Sequence, residues 1–336
     1  MRVFVTGGNG FIGSVVVRTL LAEGHEVRCL LRPSSKTERI DGLAYQRVAG
    51  DVRDAASVAA GMEGCDGVIH LASLSSWSDI ESPLMRDVVE GGTRNLLEAA
   101  LARGEESRPR FVFVSSMAAV NGSLRPQIFD ESSEWTLPDD KLTYSRYKRM
   151  AEGMCLDAAK RGLHTVIVNP AEVYGPHDTA LITACNLIDF AKSSPVMVCS
   201  GGTAVAHVDD VALGVVRALE KGKSGERYIL GGDNLHVREL AALTLELLGQ
   251  KKSIWTVPNR LLSGLATVGK KLRIPLPFNP HVVPYATKYW FACNDKAQRD
   301  LGVRFRSARE TLAPTLAWLE ESGLIPARRA AEAVAQ

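Results

Sequence analysis

A tyrosine and a lysine four residues apart are the side chains in this sequence best suited to proton transfer. Tyr144 and Lys148 fall in a helical pattern over Thr143–Arg161, and residues four apart lie on one face of a helix. A lysine in that position can lower the pKa of the tyrosine and can also reach a ribose hydroxyl. The pair therefore predicts a phenol that donates or accepts a proton near neutral pH. Tyr147 points to another side of the helix and is interpreted as structural.

A glycine-rich turn near the start of the chain has the spacing of a phosphate-binding loop. The run Thr6-Gly7-Gly8-Asn9-Gly10-Phe11-Ile12-Gly13 has glycines at 7, 10 and 13, between a strand-like segment and a helical one. Glycine permits the tight turn, lets the backbone approach a pyrophosphate, and lets the helix pack close to the strand. The phosphate is then held by the free N–H groups of the helix, which begins near Phe11 and Ile12. This context predicts dinucleotide binding.

The end of the second predicted strand indicates which dinucleotide is bound. An NAD site usually offers a carboxylate to the ribose hydroxyls at this place, but the sequence reads Leu31-Arg32-Pro33-Ser34-Ser35-Lys36. No carboxylate is present here to repel a 2′-phosphate. Arg32 can pair with that phosphate, while Ser34, Ser35 and Lys36 supply further donors. We therefore predict NADP, with NAD as the alternative if Arg32 and Lys36 are only solvated charges.

The elements that would position these residues alternate between short strands and longer helices. The strands are mostly apolar on both faces, which is typical of parallel strands covered by helices on each side. The predicted strands are Val3–Thr6, Val27–Leu31, Tyr45–Ala49, Gly67–Leu71, Phe111–Ser115 and Thr165–Asn169. The predicted helices are Ile12–Glu23, Ala55–Met62, Pro83–Arg103 and Thr143–Arg161. This alternation predicts an α/β fold with a doubly wound parallel sheet of the Rossmann type.

The alternation loosens after Pro170, which predicts a second, smaller unit. One further strand is predicted at Arg227–Leu230. We expect residues 1–170, with this returning strand near 226–231, to form the nucleotide-binding domain. We expect residues 171–225 and 232–326 to form a C-terminal substrate-binding cap, and the Ala-rich residues 327–336 to be a frayed or disordered tail.

Composition limits the classes of protein to which the chain can belong. Hydrophobic residues make up 46% and charged residues 23% of the 336 residues, and the formal net charge of +2 argues against nucleic-acid binding. No apolar run reaches the roughly 20 residues that span a bilayer, and a strand directly after Met1 leaves no room for a secretion signal. The six cysteines include no Cys-x-x-Cys pair, so neither a zinc site nor a disulfide framework is predicted. The expected location is the cytoplasm.

Ordered motifs along nearly the whole chain carry a family resemblance. They are Thr6-Gly7-x-x-Gly10-x-x-Gly13, Gly50-Asp51-Val52, His70-Leu71-Ala72, Gly92-Thr93-x-Asn95, Ser115-Ser116, Tyr144 with Lys148, Pro170 to Pro176, His207 to Val211, and Gly225 to Tyr228. With these motifs the chain resembles the extended short-chain dehydrogenase/reductase family, also called the epimerase/dehydratase family. Within it, Leu31–Ser35 and the run from His207 to Asn234 are most similar to bacterial proteins related to dihydroflavonol 4-reductase and to hopanoid-associated epimerase-like proteins.

The resemblance implies further residues of a cofactor site. They are Asp51 and Val52 beside the adenine, Leu71, Ala72 and Ser73 along the cofactor cleft, and Pro170 and Val173 beside the nicotinamide. Two positions depart from sugar-nucleotide epimerases, because Met117 and Asn169 stand where those enzymes often have a hydroxyl residue and an arginine. These departures favour the reductases of the family over its epimerases.

The resemblance also implies roles at the reacting end of the substrate. In plant-type reductases the second serine of the pair polarises the carbonyl, so the match assigns Ser116, with Ser115 as the alternative. An asparagine five residues further on touches substrate in those reductases, and Asn121 matches it. A turn residue before Gly122 is an equally good interpretation of Asn121.

These residues favour an NADP-dependent oxidoreductase that interconverts a ketone and a secondary alcohol of a small molecule. Tyr144 would give its proton to the carbonyl oxygen, Lys148 would tune Tyr144 and hold the ribose, and Ser116 would hydrogen-bond the developing oxyanion. A nucleotide-sugar epimerase with retained NAD is the second hypothesis, with Arg260 and Arg273 as candidate diphosphate ligands. A non-catalytic NADP-sensing module is the third. Family members often pair through their long helices, which allows a homodimer.

Three other features of the sequence are not assigned to the site. Two of them receive a structural interpretation, and the third is left without a role. His207 before Asp209-Asp210 is interpreted as a structural turn, and no metal site is predicted. The spacing of Leu261, Leu262, Leu265 and Val268 predicts a cap helix with its apolar face on the core, with a membrane surface or an apolar substrate as alternatives. The sequence assigns no role to Glu172, which lies inside the Pro170–Pro176 motif.

Overall fold

The main sheet is built from short strands that are buried on both faces. The computed structural model describes residues 1–74, 77, 80–138, 141–272, 275–276 and 278–326. Strands and helices are numbered here in chain order. The main sheet contains β1 (Arg2–Thr6), β2 (Glu26–Leu31), β3 (Gln46–Ala49), β4 (Gly67–His70), β5 (Arg110–Val114), β7 (Thr165–Pro170) and β11 (Arg227–Leu230). All neighbours are parallel in the order β11-β7-β5-β4-β1-β2-β3, which confirms the predicted fold class.

Helices cover both faces of this sheet. They are α1 (Phe11–Ala22) and α7 (Val208–Lys221) on one face, and α2 (Ala55–Met62), α4 (Gly92–Leu101) and α5 (Thr143–Lys160) on the other. Side chains alternate along each strand, so Val3 and Val5 of β1 pack in the α1/α7 core while Phe4 packs in the opposite core. Each face of the sheet therefore has its own apolar layer.

Helix α7 lies in a part of the chain that the sequence had assigned to the cap. In the structure it packs beside α1 and over β4, β5 and β7 of the main sheet. Its Val211, Val215 and Leu219 are completely buried there. The predicted cap segment 171–225 therefore contains a helix whose apolar stripe covers the face of the main sheet beside α1, and the domain boundaries stay a prediction.

The predicted helix Pro83–Arg103 is interrupted. The structure divides it into α3 (Pro83–Arg86), a π-helical turn at Asp87–Gly91, and α4. Two arginines, one from each side of the turn, pair with Glu90 inside it, at 2.9 Å for Arg86 and 2.9 Å for Arg94. Gly92 then lies so close to Val52 that a Cβ there would be 2.8 Å from its side chain.

The cap has a small mixed sheet of its own. Its strands are β6 (Ile128–Phe129), β8 (Glu172–Tyr174), β10 (Gly202–His207), β12 (Asn234–His236) and β14 (Tyr289–Ala292), while β9 (Val196–Val198) and β13 (Ile254–Thr256) form a separate pair. Its helices are α6 (Ala184–Lys192), α8 (Val237–Leu247), α9 (Asn259–Leu272), α10 (Val283–Ala286) and α11 (Ala308–Glu321). Helices α6, α8 and α11 enclose a third apolar core against β10.

Helix α9 contradicts the expectation that its leucines face the core. Leu261, Leu265 and Val268 are exposed, and Ala266 and Gly269 are the buried positions of the helix. The contact is made by small residues, and a Cβ on Gly269 would lie 2.5 Å from Leu276. Among the residues that the structure describes, no helix combines the length and the apolarity needed to cross a membrane. The predicted tail 327–336 and Arg273 lie outside these residues.

Candidate active site

The strand order of the main sheet reverses between β1 and β4, and this is where ligands bind in open α/β sheets. The two strand ends are joined by side chains: Thr6 Oγ1 and His70 Nδ1 are 2.7 Å apart, and His70 Nε2 is 3.1 Å from Thr93 Oγ1 on α4. Burial lowers the pKa of His70 to about 3, so the imidazole is neutral. It therefore serves as a fixed connector at the base of the crevice.

The predicted glycine loop follows β1 at this crevice. Gly7 has a φ of +72° and its carbonyl oxygen accepts a hydrogen bond from Gly10 N at 3.0 Å. A Cβ at Gly13 would lie 2.1 Å from Gly7 O, so the first turn of α1 packs directly on the loop. Gly10 caps α1 without a side-chain hydrogen bond, and the first turn contains no acidic residue. The amide groups near Phe11 and Ile12 are thus suited to an anion, as a pyrophosphate requires.

The segment after β4 forms the opposite wall of the crevice. Leu71 N donates to Thr6 O at 3.1 Å, and Ala72 N donates to Thr6 Oγ1 at 3.3 Å. The hydroxyl of Ser73 is buried and has no hydrogen-bond partner among the described residues. A buried hydroxyl without a hydrogen-bond partner destabilises the fold, so the Ser73 hydroxyl is suited to bind a polar ligand in the crevice. These observations support a dinucleotide between the glycine loop and residues 71–73.

The loop after β2 lies beside the glycine loop. Asn9 Nδ2 donates to Lys36 O at 2.9 Å, and Arg32 and Lys36 are both exposed. Arg39, which the sequence analysis did not single out, donates to Asn9 O at 3.3 Å and to His177 O at 3.0 Å. It joins both loops to the segment after β8. In the sequence, the only indication of a role for Arg39 is its position seven residues after Arg32.

The predicted adenine residues are held after β3. Asp51 Oδ2 is 2.8 Å from Arg53 Nη2, and this guanidinium lowers the pKa of the Asp51 carboxyl. The carbonyl of Val52 accepts a hydrogen bond from Asn95 Nδ2 on α4 at 2.9 Å. Both residues therefore lie at the carboxyl end of a strand next to β2, on the same edge of the sheet as Arg32.

The candidate catalytic side chains converge after β5. Ser116 follows this strand, and its hydroxyl lies close enough to the phenol of Tyr144, near the start of α5, to lower the pKa of that phenol. One turn further along α5, Lys148 Nζ donates to Val114 O at 2.9 Å and lies 5.9 Å from the centroid of the Tyr144 ring. The structure thus brings the predicted serine, tyrosine and lysine together at one strand end.

The pKa of Tyr144 differs from the expectation. Although Tyr144 retains partial exposure, burial raises the pKa of its phenol to about 12, against a smaller lowering by Ser116. Burial lowers the pKa of Lys148 to about 8, because its ammonium is held among apolar groups. The lysine donates to a backbone carbonyl and does not lower the pKa of the phenol here. The phenol is therefore fully protonated at neutral pH.

A buried polar network distinguishes the two adjacent serines. Ser115 Oγ donates to Glu152 Oε1, and Asn169 Nδ2 donates both to that oxygen, at 2.6 Å, and to Ser116 O, at 2.9 Å. Glu152 is completely buried, and Arg227 Nε lies 3.1 Å from its other oxygen. Ser115 is thus committed to the protein interior, while Ser116 faces Tyr144. Sequence analysis missed Glu152, although it follows Lys148 by one helical turn.

Asn121 makes the hydrogen bonds of a turn residue, and its predicted substrate contact stays a prediction. It is 3% exposed, and its amide nitrogen donates to Glu134 O at 2.6 Å and to Thr136 Oγ1 at 3.2 Å. Its amide oxygen accepts from Gly122 N at 2.9 Å. Because both ends of the amide hold the loop, the turn interpretation is the one that the structure supports.

Two aromatic residues that the sequence analysis did not identify lie near the start of α5, Tyr285 from the cap and Trp77 from the segment after β4. The hydroxyl of Tyr285 on α10 accepts a hydrogen bond from Tyr144 N at 3.1 Å. Trp77 lies with its ring 5.4 Å from that of Tyr285, and its indole N–H donates to Ile182 O at 3.2 Å. These rings place the cap directly over the start of α5. Nothing in the local sequence predicts such a contact across 141 residues.

The Pro170–Pro176 motif carries Glu172 into a buried cluster. Pro170 and Val173 are buried, as side chains along the crevice would be. Tyr174 OH and Asn186 Nδ2 donate to Glu172 Oε1 at 2.7 and 3.0 Å, and Thr203 bonds the same carboxyl. Burial raises the pKa of Glu172. Glu172 therefore joins β8, α6 and β10.

His207 acts as an end cap of α7. Its Nδ1 accepts a hydrogen bond from Asp209 N at 3.2 Å, in agreement with the structural interpretation. In the described part of the chain, the one cluster with metal-ligand types is Glu23, His25 and Glu220. Arg217 pairs with both of these carboxylates, at 2.7 Å and 2.5 Å. The carboxylates of the cluster therefore already have a cationic partner in Arg217.

Comparison with known proteins agrees with this fold. The model of the NAD dependent epimerase/dehydratase family matches residues 3–231. A Synechocystis protein to which dihydroflavonol 4-reductase activity is attributed is 34% identical, over 96% of this chain and 95% of its own. The 4-hydroxy-2-methyl-3-oxo-4-farnesyl-3,4-dihydroquinoline-1-oxide ketoreductase of Stigmatella aurantiaca is 30% identical, over 90% and 91%. The crystal structure of gox2253 is 30% identical with a TM-score of 0.82, over 96% and 99%.

The chain belongs to the NAD dependent epimerase/dehydratase family, and the predicted extended short-chain dehydrogenase/reductase resemblance is confirmed. It is an enzyme that acts on alcohol or carbonyl groups with a nicotinamide dinucleotide.

Proposed function

We propose that this enzyme is an NADP-dependent reductase or dehydrogenase that interconverts a ketone and a secondary alcohol of a small molecule. The observation that carries the proposal is the convergence of Ser116, Tyr144 and Lys148 beside the β1/β4 crevice. The attributed dihydroflavonol reductase activity and the ketoreductase name of the relatives support a carbonyl substrate.

The cofactor would be held by residues at the carboxyl ends of the strands. They are Gly7, Gly10, Phe11, Ile12 and Gly13 at the pyrophosphate, Arg32 at a 2′-phosphate, Asp51 and Val52 at the adenine, Leu71, Ala72 and Ser73 along the cleft, and Pro170, Val173, Tyr144 and Lys148 at the nicotinamide end. When bound, the nicotinamide supplies or accepts the hydride.

The side chains of this site provide the proton and the polarisation. Ser116 Oγ donates a hydrogen bond to the substrate oxygen, and this bond strengthens as negative charge develops there. The neutral Tyr144 hydroxyl then donates its proton to that oxygen. With its pKa raised to about 12, the phenol is protonated at neutral pH, which is the form that donates a proton when a carbonyl is reduced. The Lys148 ammonium offsets the phenolate charge that remains after the transfer.

Replacing Tyr144 with Phe tests the assigned proton donor. We expect Tyr144→Phe to lower kcat by about 100- to 10,000-fold while NADPH binding is nearly unchanged, because only the proton donor is lost. The measurement is NADPH consumption with a panel of alkyl and aryl ketones, together with NADPH fluorescence titration. Tyr147→Phe, on the same helix, is the matched control and should retain activity. Loss of NADPH binding in Tyr144→Phe would refute the role.

Arg32 tests the choice between the two dinucleotides. We expect the purified enzyme to have an exchangeable site that binds NADPH more tightly than NADH. Arg32→Ala should weaken NADPH about 10- to 150-fold, the effect of one charge-assisted contact, and should leave NADH unchanged. Arg18→Ala removes another exposed charge and is the control. A retained NAD that does not exchange would instead favour the nucleotide-sugar epimerase.

A further inference from the structure

Helix α9 presents an apolar stripe to solvent. Leu261, Leu265, Val268 and Leu272 are 55%, 46%, 52% and 61% exposed. Their spacing of four, three and four residues places them within about 60° of the helix circumference, at about 100° per residue. Single exposed leucines are ordinary on protein surfaces, whereas four on one stripe of a helix indicate a surface that meets something apolar.

The opposite side of α9 shows that this stripe is not a misplaced core face. Ala266 and Gly269 are buried against the cap, and Leu262 is partly buried. The helix therefore directs its small residues inward and its large aliphatic residues outward. A helix that served only the core would have the reverse arrangement.

The strand pair β9/β13, which precedes α9, carries two more exposed apolar residues. Trp255 on β13 is paired in register with Met197 on β9, so the two side chains are neighbours on one face of this strand pair. Both are exposed, at 59% and 53%. Tryptophan is enriched where a protein meets the headgroup layer of a bilayer, because its ring is apolar and its N–H is polar.

The chain segment that contains α9 carries charged residues of one sign, although Lys270 is paired with Glu81 from another part of the chain. Residues 247–294 contain seven Lys or Arg residues and no Asp or Glu. Because the formal net charge of the whole chain is +2, the rest of the chain has a net charge of −5. Arg260, Lys270 and Lys271 lie at the two ends of α9 itself. An apolar stripe with basic ends is the pattern of a helix that lies on an anionic lipid surface.

A second copy of this chain is a poorer partner for the same stripe. A two-fold interface would place each patch against itself, and the basic residues of both copies would then repel one another. An anionic bilayer can bury the leucines among its acyl chains and attract the basic residues to its headgroups.

The stripe also lies next to the candidate active site. Lys270 Nζ donates to Glu81 Oε1 at 2.7 Å, which ties the end of α9 to the segment after β4. Helix α9 packs on α10, whose Tyr285 bonds Tyr144 N. We propose that α9 and Trp255 dock the enzyme on the surface of an anionic membrane, with the substrate crevice close to the lipid. This inference does not depend on the proposed reaction.

Vesicle flotation tests the docking surface directly. The probes are vesicles of phosphatidylcholine alone and vesicles in which about one quarter of the lipid is phosphatidylglycerol. We expect the full chain to float with the anionic vesicles, less so at high salt, because salt screens the basic residues. The double variant Leu265→Glu/Val268→Glu should lose at least tenfold in partitioning. Leu124→Glu changes an exposed leucine outside residues 247–294 and should bind as the wild type does.

Three further variants separate the contribution of charge from that of the apolar stripe. Arg260→Gln and Lys271→Gln should each weaken binding to anionic vesicles about fivefold, the effect expected of one charge near the surface. Leu261→Gln/Leu272→Gln alters the two ends of the stripe if the first double variant does not fold. NADPH binding and far-UV circular dichroism report folding independently of lipid.

The proposal is overturned if the wild type binds neither kind of vesicle, or if folded stripe variants bind as well as the wild type. It is also overturned if sedimentation velocity shows that the stripe variants dissociate a dimer while no protein binds lipid. That outcome would identify the stripe as a contact between two copies of the chain.

Discussion

Neighbouring residues of the same type have different functions here because their side chains point into different surroundings. Ser115 is 5% exposed and bonds the buried Glu152, whereas Ser116 is partly exposed and faces Tyr144. Asn169 connects the two, since its amide bonds both Glu152 and the carbonyl of Ser116. The network therefore positions Ser116 from behind without meeting the substrate.

The two serines give a matched pair of variants. We expect Ser116→Ala to lower kcat about 100- to 1,000-fold with little change in stability, because it removes a donor to the developing oxyanion. Ser115→Ala should instead lower the free energy of unfolding by about 1–3 kcal/mol, because the buried Glu152 loses a donor. Chemical denaturation and steady-state kinetics of both variants separate the effects. A larger kcat loss in Ser115→Ala would exchange the two roles.

At the scale of single elements, close backbone approach fixes the glycine loop and α1. The carbonyl of Gly7 meets the first turn of α1 where Gly13 has no side chain. Glycines on other helices are not constrained in this way: Gly153 is exposed on α5, and a Cβ there would meet no atom within 4 Å. The two positions therefore predict opposite effects of the same substitution.

Gly13→Ala should destabilise the protein by at least about 1–3 kcal/mol and weaken NADPH binding, because its Cβ would displace the Gly7 carbonyl from the loop. Gly153→Ala should stabilise the protein by about 0.5–1 kcal/mol, because alanine is the better helix former. Thermal unfolding and NADPH titration measure both effects. Unchanged NADPH binding in Gly13→Ala would exclude the glycine loop as the phosphate site.

At the scale of the whole molecule, polar contacts join the cap to α5 and join the elements of the cap to one another. Tyr285 of the cap bonds the first turn of the catalytic helix, and the Glu172 cluster joins β8, α6 and β10. Glu172 is an acid whose pKa is raised in the folded state, so the folded protein binds its proton more tightly than the unfolded chain does. The resulting stability is present at low pH and is lost as pH rises through the folded pKa.

Glu172→Gln should therefore change the pH dependence of unfolding. Relative to the variant, the wild type should lose stability as pH rises above the ordinary carboxyl pKa of roughly 4.3, because glutamine keeps the neutral form. Glu172→Ala should be less stable by about 1–3 kcal/mol, because Tyr174 and Asn186 lose their acceptor. Denaturation curves at several pH values provide the test. Parallel curves for wild type and Glu172→Gln would show that the carboxyl is ionised in the fold.

Much of the main sheet and of its ligand crevice could be predicted from the sequence. Short strands buried on both faces have a local signature, and the predicted strands agree with the observed ones to within about one residue at each end. The glycine loop and the Tyr144/Lys148 pair are also local, because turn geometry and helical spacing depend on neighbours in the chain. These signals were sufficient for the fold and for the family.

Only the tertiary structure decided which surfaces those elements meet. An amphipathic pattern does not say whether a helix covers the main sheet, as α7 does, or turns its leucines to solvent, as α9 does. The pKa of Tyr144 depends on burial, and the contacts of Tyr285 and Glu152 join residues far apart in the chain. Periodicity and turn chemistry are properties of neighbouring residues, whereas burial and electrostatics belong to the assembled molecule.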